Sequence, residues 1–158
     1  MKVTVKTFKV RAIHQILALA KYGKMDASDQ IKVWKIVRKL APISEKFSED
    51  LQDALKKFKP TDKDFEEKNE KYQRYLQMSQ TPNATPDDFP MGPAEADEFK
   101  RNVLDPYDKI VTKAVKEFGD KEVKVEFEPI KESAFEKLMA SNDWNFAQAT
   151  EIGDFICK

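Results

Sequence analysis

An apolar seam stepping alternately by four and three residues runs from Val33 through Val37, Leu40, Ser44, Phe47, Leu51 and Ala54 to Phe58. This 3.5-residue spacing keeps one stripe of a helix turned toward a partner, so the stretch is expected to fold as a helix from about Asp29 to Phe58, buried along one side. Asp26, Ser28 or Asp29 can cap its start. Pro42 lies inside it, removing a backbone bond and pressing on the Arg38 carbonyl. The register continues unbroken past it, which predicts a kinked but nearly collinear pair.

The partner follows after Lys59, Pro60 and Thr61 break the pattern. Phe65, Tyr72, Leu76 and Ser79 repeat the seam period at lower apolar density, predicting a second helix from about Asp62 to Ser79 in an antiparallel hairpin with the first. Four prolines, Pro82, Pro86, Pro90 and Pro93, then mark a loop at about residues 79–93, in a stretch with no base between Arg74 and Lys100. Pro93 fits the first turn of a further helix to Phe118, with Phe99, Val103, Tyr107, Ile110 and Ala114 on its buried side, a bend at Pro106 and a stop at Gly119.

Both ends carry strand signals. Lys2 to Phe8 alternates Val3 and Val5 with Thr4 and Lys6, while Val123, Val125 and Phe127 alternate with Lys124, Glu126 and Glu128. A lone strand leaves its backbone donors unpaired, so the two are expected to form one two-stranded sheet. Ile13, Ile16, Leu17 and Ala20 mark a short first helix with Gly23 as its C-cap. Phe135, Leu138 and Met139 mark a short late one. The expected class is mainly α within α+β: a helical hairpin or bundle with a small sheet joining the N-terminal strand to residues 123–128, all in a single domain over 1–158. That length suffices for a real core, and the 11 Phe, 2 Trp and 4 Tyr supply material for it.

The 28 bases and 28 acids cancel overall but not by halves. Residues 1–60 carry 14 Lys or Arg against 6 Asp or Glu, and residues 61–158 carry 14 against 22. A basic half suggests nucleic acid or an acidic partner. The alternative is that the halves neutralise each other in one fold. Lys32, Lys35 and Lys39 form one stripe of the long helix, with Lys21 and Lys24 just upstream, and these five are the candidate nucleic-acid contacts. Trp34 is placed in or near the apolar seam, so no base-stacking platform accompanies the lysines.

Other chemistry has little to stand on. His14 is the only histidine and sits beside Ile13, where a structural role is expected. Zinc needs clustered Cys and His, and the four glycines at 23, 92, 119 and 153 are isolated, so neither metal, cofactor nor phosphate loop is expected. Adjacent acids such as Glu66 and Glu67, Asp87 and Asp88, or Asp97 and Glu98 point apart on a helix and are expected at the surface. The run from Ala12 to Ala20 is broken by His14 and Gln15, falls below the ~18 residues of a membrane span and lacks a cleavage site. With Cys157 as the only cysteine, a reducing, cytoplasmic setting is expected, and no membrane association.

Trp34-Lys-Ile-Val-Arg-Lys-Leu40 leading to Ile43-Ser-Glu-Lys-Phe47, a charged second arm from Phe65 to Leu76, and a closing Val123-Lys-Val-Glu-Phe-Glu-Pro-Ile130 before an amphipathic end together resemble small uncharacterised proteins encoded by bacteriophages and prophages. The likeness is one of residue class and spans most of the chain outside residues 79–93. It implies a helical hairpin with an appended sheet, a bacterial cytoplasm as the setting, and no catalytic residue to carry over. The remaining feature is an apolar tail in which Trp144, Phe146, Phe155 and Ile156 are candidates for a partner interface, aromatic residues being enriched at interface centres. These features together lead to the expectation of a non-enzymatic interaction or assembly protein, bound to another protein or to itself, with nucleic-acid binding through the basic half as the alternative.

Overall fold

A computed structural model describes residues 1–158. The chain is mainly helical with one small antiparallel sheet, in the order β1 (Lys2–Lys6), α1 (Thr7–Ala18), α2 (Ala27–Phe58), α3 (Phe65–Ser79), α4 (Pro93–Phe99), α5 (Asp105–Gly119), β2 (Glu122–Glu126), α6 (Glu132–Met139) and α7 (Phe146–Ile156). It divides into two compact units. One joins Met1–Leu51 to Lys116–Lys158, and the other is Gln52–Val115.

In the first unit β1 and β2 pair with Val3 opposite Val125 and Val5 opposite Val123. The alternation sends these valines to the core and Lys2, Thr4, Lys6 and Lys124 to water, as expected of a sheet covered on one face. Thr7 turns the chain directly into α1: its N–H and Oγ1 both donate to the Lys121 carbonyl, at 2.9 and 2.8 Å. The Lys6–Asp120 ion pair, 2.9 Å, closes the same corner. Val10, Ile13 and Leu17 of α1, Val33, Ile36 and Leu40 of α2, Leu138 of α6, and Ile152 and Ile156 of α7 meet the valines in one core, each 0–1 % exposed.

α2 is a single helix through Pro42. Pro42 is exposed, so the carbonyl that lost its donor lies on the side where water can replace it. Every seam position from Val33 to Phe58 is buried or half-buried. Trp34 is a correction: it is 54 % exposed on the outer face, with the Arg38 guanidinium 4.9 Å from its ring centroid. Gly23 is another. α1 ends at Ala18, the Leu17 carbonyl accepts from the Ala20 N–H at 3.2 Å and from the Tyr22 hydroxyl at 2.7 Å, and no glycine adopts positive φ.

In the second unit α3 turns Phe65 and Tyr72 toward the helix that follows the proline segment. Phe65 meets Phe99 and Tyr107 at centroid separations of 6.2 and 6.1 Å, and Tyr72 meets Phe99 at 5.7 Å. Leu76, expected on the buried side, is 39 % exposed. The proline segment is organised: Thr85 donates through N–H and Oγ1 to Asp88 across one 3-10 turn at Pro86–Asp88, at 2.8 and 3.0 Å, and Phe89 returns onto Tyr75. The expected Pro93–Phe118 helix is interrupted by a π turn at Lys100–Leu104, which places Pro106 in the first turn of α5. Past it, Tyr107, Ala114 and Phe118 are half-buried on the expected side, but Val111 rather than Ile110 takes the inward place between them.

Candidate functional site

An open groove lies between α6 and α7. α7 starts at a reciprocal cap, in which the Gln148 N–H donates to Asn145 Oδ1 at 2.9 Å while the Asn145 N–H donates to Gln148 Oε1 at 3.1 Å. The cap fixes Phe146 as the first helical residue and leaves it 88 % exposed, while Ile152, Phe155 and Ile156 turn inward. Ala149 and Gly153, one turn apart, keep the facing side of α7 small. A Cβ on Gly153 would lie 3.0 Å from Phe135 Cε1, so glycine admits the ring, which stacks on Trp144 at 6.4 Å. The resulting groove, about 620 Å³, has Phe135, Met139 and Phe146 as its large apolar groups.

Its rim is acidic. Glu132, Glu136 and Asp154 line it, all exposed and none in an ion pair, against Lys158 as the one lining base. Cys157 closes one end. Burial, with the Glu132 and Asp154 carboxylates adding to it, pushes the thiol up to about 11. At neutral pH it is therefore a protonated, weakly nucleophilic group. Cys157 is not a loose terminal residue, because it forms a parallel bridge with Ile130.

Of the four aromatic and aliphatic candidates in the tail, the structure brings Phe146 and Trp144 to the groove region, Trp144 half-buried behind Phe135. Phe155 and Ile156, 3 and 0 % exposed, are core and offer a partner no surface. Phe135 and Met139 were read from the sequence only as markers of a helix, and the three rim carboxylates were not singled out. The signals that could have found them are Asn145-x-x-Gln148 as a helix start and the small pair Ala149 and Gly153 at helical spacing.

No protein-family model, curated protein or solved structure matches the chain.

Of the five candidate nucleic-acid contacts, Lys24, Lys32 and Lys39 have side chains bonded within the first unit. Lys32 pairs with Glu128 at 2.9 Å, which raises the lysine and lowers the carboxyl from their ordinary values. Lys35 adds to the field on Glu128, and Lys39 donates to the Glu126 carbonyl. Lys24 donates to the Ala140 carbonyl at 3.0 Å, and the Lys21 backbone is held from both sides by the Asn142 amide. The sheet thus brings C-terminal acids onto the N-terminal stripe. The first unit holds 17 bases and 15 acids, so most of the excess in residues 1–60 is offset within it.

The remaining candidates stay apart. His14 is half-buried on α1. Glu66 turns to Lys59 and Glu67 to Lys71, each lowered by its lysine, so this adjacent pair shares no site. No group of three His, Cys, Asp or Glu side chains could hold a metal ion. No helix is long and apolar enough to cross a membrane.

Proposed function

We propose that the chain is a small, non-enzymatic interaction or assembly protein of the cytoplasm, comparable to the phage and prophage proteins its sequence resembles, and that it binds a protein partner through the α6–α7 groove. The observation that carries this reading is Phe146, held almost fully in water by the cap at Asn145 and adjoining an apolar floor. A large aromatic kept out of a core that its own helix helps to build is the kind of group that anchors an interface.

Photo-crosslinking tests it directly. A benzophenone amino acid placed at position 146 is expected to give discrete adducts in cells, while the same group at Leu19, an equally exposed apolar position, gives none. Adducts at both positions or at neither would remove the reading.

A second reading has one observation in its favour. Trp34 stands exposed under Arg38 with Lys35 beside it, an arrangement able to stack on a base. Support for it would be duplex DNA binding whose salt slope falls by roughly 0.9 for each phosphate that Lys35→Glu and Arg38→Glu leave unneutralised.

A further inference from the structure

We infer that the occupant of the α6–α7 groove is a cationic amphipathic segment: one that buries one or two large apolar side chains against Phe146, Met139 and Phe135 and sets Lys or Arg against Glu132, Glu136 and Asp154. The inference rests on the interaction reading above and adds the partner's chemistry to it.

Three facts carry it. The floor is apolar, and water held over Phe135 and Met139 is released when a side chain covers them. The rim carries three exposed carboxylates gathered around that floor, and the fold supplies no ion pair to any of them. Lys158 alone opposes them, so the rim is net negative. The Cys157 thiol reports the same field from inside the groove, being held neutral partly by Glu132 and Asp154. A second copy docked groove to groove would set these acidic rims against each other, and an anionic membrane surface would be repelled by them.

Direct binding to the full-length chain tests this with three labelled helical peptides that share an apolar face of Leu and Phe. Their polar faces are built from Lys, Gln or Glu. The Lys peptide is expected to bind about tenfold more tightly than the Gln peptide at low salt, as three modest exposed ion pairs would give, and the Glu peptide more weakly still. The gap should close as salt rises. Glu132→Gln, Glu136→Gln and Asp154→Asn combined should bring the Lys peptide to the level of the Gln peptide, while Glu66→Gln with Glu67→Gln leaves it unchanged. Phe146→Ser, at an exposed position where folding is unaffected, should weaken every peptide alike.

Equal affinity of the Lys and Gln peptides, or a Lys peptide indifferent to the triple variant, overturns the cationic occupant while leaving the groove reading standing if Phe146→Ser still weakens binding. Indifference of all three peptides to Phe146→Ser, or no binding at all, overturns both. Phe146-dependent binding to anionic vesicles stronger than to the Lys peptide overturns the inference in favour of a lipid surface.

Discussion

The two units bury their apolar groups in different ways. The first packs aliphatic side chains from a sheet and helices α1, α2, α6 and α7 until Val10, Ile13, Leu17, Val33, Leu40, Leu138, Ile152 and Ile156 reach zero exposure. The main cluster of the second is Phe65, Tyr72, Met91, Ala96 and Phe99, none of them below 2 % exposure, with rings meeting edge and tilt. Branched aliphatics brought together from a sheet and four helices can be sealed on every side. The rings shared between α3, α4 and one loop each keep 7 % exposure. Complete burial sets the free energy of global opening, whereas the smaller, less completely buried cluster is expected to give lower protection.

The largest effect should come from the sealed unit. Leu138→Ala is expected to lower unfolding free energy by about 2–5 kcal/mol in a urea titration, and native-state hydrogen exchange should show amides of α1 and α6 outlasting those of α3 and α4. Equal protection in the two units would break the comparison.

Next is Gly119→Ala. A Cβ there would fall 2.1 Å from Phe8 Cε2, and Phe8 is itself engaged with Phe47 at 5.3 Å. A loss of about 1–3 kcal/mol is expected in thermal unfolding, and it should shrink when Phe8→Ala is combined with it. A simple sum of the two single effects would show that the ring moves aside freely.

The smallest effect is alkaline. Because the Cys157 thiol is raised from 9.0 to about 11, the unfolded chain ionises first as pH climbs, so stability is intact below about pH 9 and is lost between there and about pH 11. Screening at this partly exposed site limits the loss to at most about 1 kcal/mol. Cys157→Ala should flatten that limb in stability curves followed between pH 8 and 11. An unchanged slope would separate the thiol from the packing of α7.

What was legible in the sequence follows the strength of periodicity. Val3 and Val5 against Val123 and Val125 announced the sheet because β-branched alternation at two sites has few other solutions, and the seam of α2 was readable because its period continues past Pro42. Ile110 was misplaced because steps of three and of four from Tyr107 both fit one helical stripe, and it is Val111, four residues on, that turns inward. Trp34 was misread because a large aromatic near an apolar stripe was counted with it, although it falls one position past Val33. At the groove, Phe146 was visible as an aromatic, but Phe155 and Ile156 were grouped with it by composition when their spacing from Ile152 already placed them on the inward face. Gly119 was assigned to helix termination, yet what requires glycine there is the approach of a ring from the other end of the chain.

The first unit is also discontinuous, and this has a consequence in time. Lys2 pairs with Glu126, so on a ribosome adding about 5–20 residues per second the first strand waits for roughly 6–25 s before its partner exists. Through that interval Val3 and Val5 lack their partner strand and the inward stripe of α1 has only α2 to pack against, while residues 52–115 emerge as one uninterrupted stretch. For that time the unpaired edge of β1 is open to pairing with another chain.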